Sequence, residues 1–195
     1  MTAKKPRYGL IFAGGGARRM GGAEKAALML GGRRLIDIVI ARLAPQCDQI
    51  LIAGPDDYET RCQNLPDRDD GPAGPAAGLW SALVWLQQNA PDTDGIVTAP
   101  VDGPFFPGDL FEKLHAADCS AVARDDAGTH PTSAWWRCDD LRKVFKTSTP
   151  GEGLALKTLA NRAAAMEIVF PGGELFRNIN TPEDLARAEK DLRRV

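Results

Sequence analysis

Only two histidines occur in the 195 residues, and the four cysteines, Cys47, Cys62, Cys119 and Cys138, stand far apart with no C-x-x-C pair. Neither a zinc site nor a dithiol redox motif is signalled, and idle thiols in a reducing compartment are the expectation. A basic surplus is also missing: 24 Lys and Arg against 26 Asp and Glu leave a net charge of −2. That balance supplies no global attraction to nucleic acid or to an anionic membrane surface, so neither is expected as a partner, and any anionic ligand must be held by local charge. Long apolar runs are absent too, because Gly, Arg or Asp interrupts every hydrophobic stretch before the roughly 20 residues a membrane span needs. The opening MTAKKPRYGLIFAGGG has basic residues ahead of an apolar run, as an export signal does. That run is short and leads into a glycine-rich loop, so it reads as a strand, and the cytoplasm is the expected location. There is no internal repeat, low-complexity linker or long charge block.

What is present is a chain with 44% hydrophobic and 26% charged residues, enough for one well-buried core and a single domain over residues 1–195. Tyr8–Ala13, Gln49–Gly54 and Asp94–Pro100 are compact apolar runs that end in Gly or Pro, the pattern of buried parallel strands. Between the first two, Ile36, Val39, Ile40 and Leu43 mark one face of an amphipathic helix, and Gly31-Gly32 centres a small hairpin. Further helices are expected over Gly78–Asn89, from about Pro107, and over Asp139–Lys146, with strands at Ala121–Arg124 and Thr132–Trp136. Thr181-Pro182-Glu183-Asp184 supplies a cap, a proline at the first helical position and early acids for a final helix. Alternating strand and helix predicts an open α/β fold with right-handed crossovers, in which ligands sit beyond the carboxyl ends of the strands. Gly14–Gly16, Gly54-Pro55 and Val101-Asp102 should therefore share one edge.

The segment from Ala13 to Lys25, AGGGARRMGGAEK, directly follows the first strand. Glycines let backbone approach a ligand closely and turn amides toward an anion, while Arg19 and Lys25 add fixed positive charge suited to a triphosphate. Two familiar phosphate loops do not fit. Lys25 is followed by Ala26 where a Walker A loop needs Ser or Thr, and a dinucleotide fingerprint from Gly14 would require glycine where Arg19 stands.

FAGGGARRMGGAEK resembles the loop of the molybdenum cofactor guanylyltransferases within the α/β nucleotidyltransferases. The resemblance continues in order through GPAAGL at Gly74–Leu79, APVDGPFFP at Ala99–Pro107, HPT at His130–Thr132 and NINTPEDL at Asn178–Leu185. It implies a three-layer, Rossmann-like nucleotidyltransferase fold with a mostly parallel central sheet. The implied activity moves GMP from GTP to molybdenum-molybdopterin, with release of pyrophosphate. The implied cofactor is Mg2+, held by Asp102, and the implied protein partners are molybdoenzymes or other cofactor-pathway proteins. Catalytic roles then fall to Arg19, Lys25 and Asp102, and nucleotide contacts to Phe12, Ala13, Gly14, Gly15, Lys25, Asp67, Gly74, Gly78 and Asp102. His130, Asn178 and Asn180 correspond to the cleft that receives the pterin.

Several of these residues also have plainer readings. Asp102 beside Gly103-Pro104 would serve as a turn residue, His130 before Pro131 as a structural one, and Asn180 as part of a helix start. Asp67, Asp69 and Asp70 crowd one loop, and any of the three would fit the position near the nucleotide. His115 is expected in solvent, and Trp80, Trp85, Trp135 and Trp136 in the core or an interface. The chain departs from the family pattern at Phe12 for leucine, at Glu24 for aspartate, and at Ala53-Gly54, where an asparagine often stands. The last change removes a base contact and leaves open cytidylyl transfer, to molybdopterin or another phosphorylated acceptor. A non-catalytic nucleotide or cofactor carrier is the remaining alternative.

Overall fold

The computed structural model describes residues 5–14 and 24–192. Three apolar runs form the centre of the sheet: β1 (Tyr8–Phe12), β4 (Gln49–Ala53) and β6 (Gly95–Pro100). Every residue of β6 is buried, as are four of the five in β1 and in β4, which is what strands covered on both faces require. β1 pairs in parallel with β4 on one side and β6 on the other. With β5 (Gln63–Leu65), β7 (Ala121–Asp125), β8 (Gly128–Arg137) and β9 (Met166–Val169), the order is β5-β4-β1-β6-β8-β7-β9. Only β8 runs against its neighbours. The fold is thus α/β with a mostly parallel seven-stranded sheet.

Two apolar clusters sandwich the sheet into three layers. α1 (Leu35–Leu43), α3 (Leu110–His115) and α6 (Pro182–Leu192) bury Leu35, Ile36, Val39, Leu110 and Ala188 on one face. α2 (Ala76–Asn89), α4 (Cys138–Lys146) and α5 (Leu156–Arg162) bury Leu79, Leu83, Leu141 and Leu159 on the other. A small hairpin of β2 (Met29–Leu30) and β3 (Arg33–Arg34) turns through Gly31 and Gly32, both at positive φ, the conformation of a tight two-residue hairpin loop. Among the described residues no helix is long and apolar enough to cross a membrane.

Three elements escape the sequence pattern: β5, β9 and α5. α2 starts two residues earlier than periodicity suggests, and β8 four residues earlier. In β8 the register jumps, so that Val122 faces Ala134 while the next residue, Ala123, faces His130. Residues 131–133 are the bulge, and Pro131, which has no amide hydrogen for a ladder, sits within it.

Candidate functional site

From β1 the chain leads first to β4 on one side and later to β6 on the other, so the strand order reverses at β1. Such a switch point leaves a crevice beyond the strand ends. A cavity of about 740 Å³ occupies that position. Phe12, Ala13 and Gly14 from the end of β1 line it, as do Gly54 and Pro55 after β4 and Val101 and Asp102 after β6. The segments expected to share one edge do so, for the residues that are described.

The glycine loop leaves the sheet in a specific way. Ala13 and Gly14 both donate their amides to the carbonyl of Ala53, at 2.8 and 3.0 Å. The Gly14 amide is thereby engaged by backbone, while Gly14 itself stays on the cavity lining. Gly15 and Arg19 lie outside the described residues. Glu24 and Lys25 follow, and the hydroxyl of Tyr58 lies between the two ends of the loop, 2.8 Å from Glu24 Oε1 and 3.3 Å from the Ala13 carbonyl. Tyr58 has left-handed backbone (φ 52°), as do Glu59 and Arg61. The Asp56 and Asp57 carboxylates accept the amides of Tyr58 and Glu59, which steadies that conformation. No motif marks Tyr58 in the sequence.

Lys25 Nζ donates to Asp102 Oδ2 and to Asn180 Oδ1, each at 2.6 Å. These three residues span positions 25 to 180; Lys25 and Asp102 line the cavity, and Asn180 joins them through its bond to Lys25. The Lys25 and Asp102 side chains are only 19% and 16% exposed, so each charge needs the other. Asp102 is presented by the turn after β6, in which Gly103 donates to Pro100. A Cβ at Gly103 would lie 2.9 Å from Asn178 Oδ1 and 3.0 Å from Pro100 Cγ, so a side chain there would turn the amide of Asn178, another cavity residue, away from this turn. The Ile179 amide donates to the Asp102 carbonyl at 2.6 Å. Asn180 and Thr181 donate to Asp184 Oδ2 while Asp184 returns its amide to Thr181 Oγ1, a reciprocal cap that starts α6.

The far wall comes from α2 and its approach. Gly74 turns at φ 80°, Pro75 follows, and a Cβ on Gly78 would meet the Ala53 Cβ at 2.6 Å, so only glycine lets α2 lie this close to β4. Asp67 lines this wall, and its partial burial raises the carboxyl pKa. Asp70 is engaged elsewhere, by Arg68 and by Trp80 Nε1 at 2.8 Å, and Asp69 is not on the wall. Sequence reasoning missed Thr132, which the bulge in β8 carries to the cavity, and Leu156 at the start of α5. The segment before α5 is laced to the loop before α2: Ala73 donates to Glu152, and Leu154 to Ala73.

His130 is not on this cavity. It borders a smaller one, of about 210 Å³, together with Arg177, Arg187 and Asn178, and Asn178 thus touches both spaces. Its Nε2 lies 2.7 Å from Asp125 Oδ1. Among the four tryptophans none lines either cavity, and Trp136 is fully buried. His115 is exposed, with its ring against Phe111 and Trp135.

A crevice at a strand switch point lined by a lysine, a carboxylate and an asparagine is suited to a polyphosphate ester. The profile of the MobA-like NTP transferase domain matches residues 9–164. A molybdenum cofactor guanylyltransferase of Cereibacter sphaeroides is 42% identical over 191 residues, covering 96% of this chain and 97% of its own. A protein of the same name from Rhodopseudomonas palustris is 36% identical over 202 residues, covering 93% and 91%. The crystal structure of molybdopterin-guanine dinucleotide biosynthesis protein A from Archaeoglobus fulgidus superposes with a TM-score of 0.69 at 24% identity, over 96% of this chain and all of that one, a likeness of fold. A match over four-fifths of the sequence, which spans the glycine loop, the strand-edge aspartate and the wall before α2, makes this chain a member of the MobA-like NTP transferase family.

Proposed function

We propose that the chain transfers GMP from GTP to molybdenum-molybdopterin, giving the guanine dinucleotide form of the cofactor and pyrophosphate. The observation that carries this reading is the ion pair of Lys25 and Asp102 on the lining of a cavity large enough for a nucleotide, with Asn180 bonded to the same lysine. A terminal phosphate oxygen of the acceptor attacks the α-phosphorus of GTP as the bond to pyrophosphate breaks. Such a displacement asks the protein for alignment and charge neutralisation rather than covalent chemistry. Lys25 supplies cationic charge to the phosphates, with Arg19 as its second source in the same loop. Phe12–Gly14, Gly74, Gly78 and Asp67 line the side we assign to the nucleoside, and Gly15 is assigned there from the sequence motif alone; Asn178, which lines both cavities, and Asn180, bonded to Lys25, are assigned to the acceptor. Asn178, which touches both cavities, is placed to sense donor and acceptor together. His130, with Nε2 taken by Asp125, borders only the acceptor side.

The residues present fit Mg2+. No group of three or more His, Cys, Asp or Glu among the described residues forms a metal cage. A lone hard carboxylate such as Asp102 suits an ion that keeps several waters and takes other ligands from substrate phosphates. When bound, that ion neutralises charge developing on the phosphates. Asp102 would hold it, and its 2.6 Å contact with Lys25 gives the carboxylate a cation meanwhile. A triphosphate beside Asp102 with no divalent ion would instead set like charges together in a partly dry crevice.

The test is a magnesium titration of wild type and Asp102→Asn at fixed GTP and acceptor, reading pyrophosphate. The variant should fold and lose most metal-dependent turnover. If both proteins saturate at the same magnesium concentration and rate, Asp102 is a turn residue only. A second reading, cytidylyl transfer, draws on Ala53-Gly54, whose backbone is already used: the Gly54 amide donates to Leu65 and its carbonyl accepts from Asn64. Competition by unlabelled triphosphates separates the two, because buried polar groups matched to guanine discriminate against cytosine. Equal competition by CTP would favour the second. Four free cysteines support a reducing cytoplasmic setting, in which the product passes to molybdoenzymes or other cofactor-pathway proteins.

A further inference from the structure

The segment that brings Asn178 to the cavity lining and Asn180 to Lys25, residues 176–180, is irregular chain between β9 and α6. A loop of this kind holds catalytic geometry only where its backbone is tied down. At its far end Asp184 caps α6, and in the middle Ile179, 1% exposed, is bonded to the Asp102 carbonyl. The near end is tied by something else. Asp125 ends β7, and its side chain is 0% exposed. It accepts from the amide of Ala127 at 2.9 Å, from His130 Nε2 at 2.7 Å and, across the fold, from the amide of Phe176 at 3.4 Å. The His130 ring also stacks on Phe176, with centroids 5.0 Å apart and 26° between planes. Phe176 packs edge-on against Phe170, itself fixed by the bond from its amide to Arg124 in β7.

We propose that Asp125 and His130 form a positioning pair that clamps Phe176 and so sets where Asn178 and Asn180 stand relative to Lys25 and Asp102. This rests on the proposed role of those asparagines in the transfer. A buried carboxylate is costly unless fully hydrogen-bonded, and three donors from two separate parts of the chain are a heavy commitment for a hairpin tip. What they secure is the chain two residues before Asn178. The bulge at residues 131–133 belongs to the same device, because it brings His130 opposite Ala123, two residues before Asp125, while delivering Thr132 to the main cavity. One irregularity in β8 therefore serves both sides of the site. Asparagine at 125 could still accept from two donors, but its amide group would oppose the Phe176 N–H. Phenylalanine at 130 would keep the stack and leave Asp125 without its ring partner.

Hydrogen exchange followed by peptide mass spectrometry, with steady-state kinetics, tests this on Asp125→Asn and His130→Phe. Exchange over residues 174–181 should accelerate by about tenfold or more while peptides of β1, β4 and β6 stay within about twofold of wild type. In the same variants kcat should fall by about tenfold, since misplacement by an ångström is costly, with KM for GTP changed by less than about twofold because other elements build the nucleoside wall. Unchanged exchange over 174–181 overturns the proposal. So does a fall in kcat with no local change in exchange, which would mean that the pair acts on the reacting groups directly. Should Asp125→Asn fail to fold, His130→Phe carries the comparison alone. If the wild-type protein itself does not transfer GMP, the functional reading falls, whereas the exchange comparison still decides the clamp.

Discussion

Lys25 is held by two oxygens at 2.6 Å, one charged and one neutral, and the proposed function requires it to turn part of that grip toward a triphosphate. Removing it by Lys25→Ala should lower turnover by about 10²–10³, the usual loss for one electrostatic stabiliser, while the fold survives. The comparison is turnover against melting temperature; unchanged turnover would remove Lys25 from the site. Tyr58 offers a milder test. Tyr58→Phe deletes one hydroxyl that links Glu24 to the Ala13 carbonyl, and on the proposed function it should raise KM for GTP several-fold with little effect on kcat, because it loosens the tie between Ala13 and Glu24 and not the groups proposed to react. Burial pushes the thiol of Cys47 up to about 12 and that of Cys138 up to about 11. Both should resist a maleimide at neutral pH until the protein is unfolded, as counted by intact mass, since the thiolate is the nucleophile. Lys25 and Asp102 were legible as single residues because each sits in a dense local motif. Tyr58 and Asp125 were not, because each acts through a residue distant in sequence, and Thr132 was not, because only the bulge in β8 brings it to the cavity.

At the scale of elements, α2 owes its place to Gly78. A Cβ there would lie 2.6 Å from the Ala53 Cβ, and Ala53 is fixed in a central strand, so neither side can yield cheaply. Gly78→Ala should cost about 1–3 kcal/mol by overpacking and withdraw the wall that carries Gly74 and Asp67. A lowered melting temperature with a raised KM for GTP is expected; a neutral result would mean that the helix shifts freely. The central strands could be read from sequence, since burial on both faces leaves unbroken apolar runs. β9 could not, because Met166 and Val169 are exposed at the sheet edge, and β5 has only three residues, of which one is buried. α5 is seven residues long, too short for periodicity to declare itself.

Across the whole molecule the acid limb of stability carries the imprint of these contacts. Burial works against ionising Asp125, but the bonds from His130, Ala127 and Phe176 outweigh it and hold its carboxyl below the usual range. Asp184, bonded by the Asn180 and Thr181 amides, and Asp37, bonded by Arg34, are lowered as well. A carboxyl depressed in the folded state stabilises it above the unfolded value of roughly 4, and that contribution is lost as pH falls through the folded value. Asp67, raised by desolvation, has the opposite sign and offsets a part. Wild type should therefore lose melting temperature below about pH 4, while Asp125→Asn, less stable at pH 7, shows a flatter acid limb that approaches the wild-type curve. Parallel curves in calorimetry would contradict this assignment. The amino-acid sequence alone determined the α/β alternation, the glycine loop after the first strand, the aspartate at the end of the third apolar run and the family, because each is written in neighbouring residues whose spacing matches a strand, a helix or a turn. Only the tertiary structure decided that Asp67 rather than Asp70 borders the cavity, that the Gly14 amide belongs to Ala53, that His130 serves Asp125 and that Asn180 reaches Lys25. Those outcomes depend on which side chains the crossing strands and returning loops bring within about 3 Å, the range over which a hydrogen bond acts, and separation along the chain does not encode that distance.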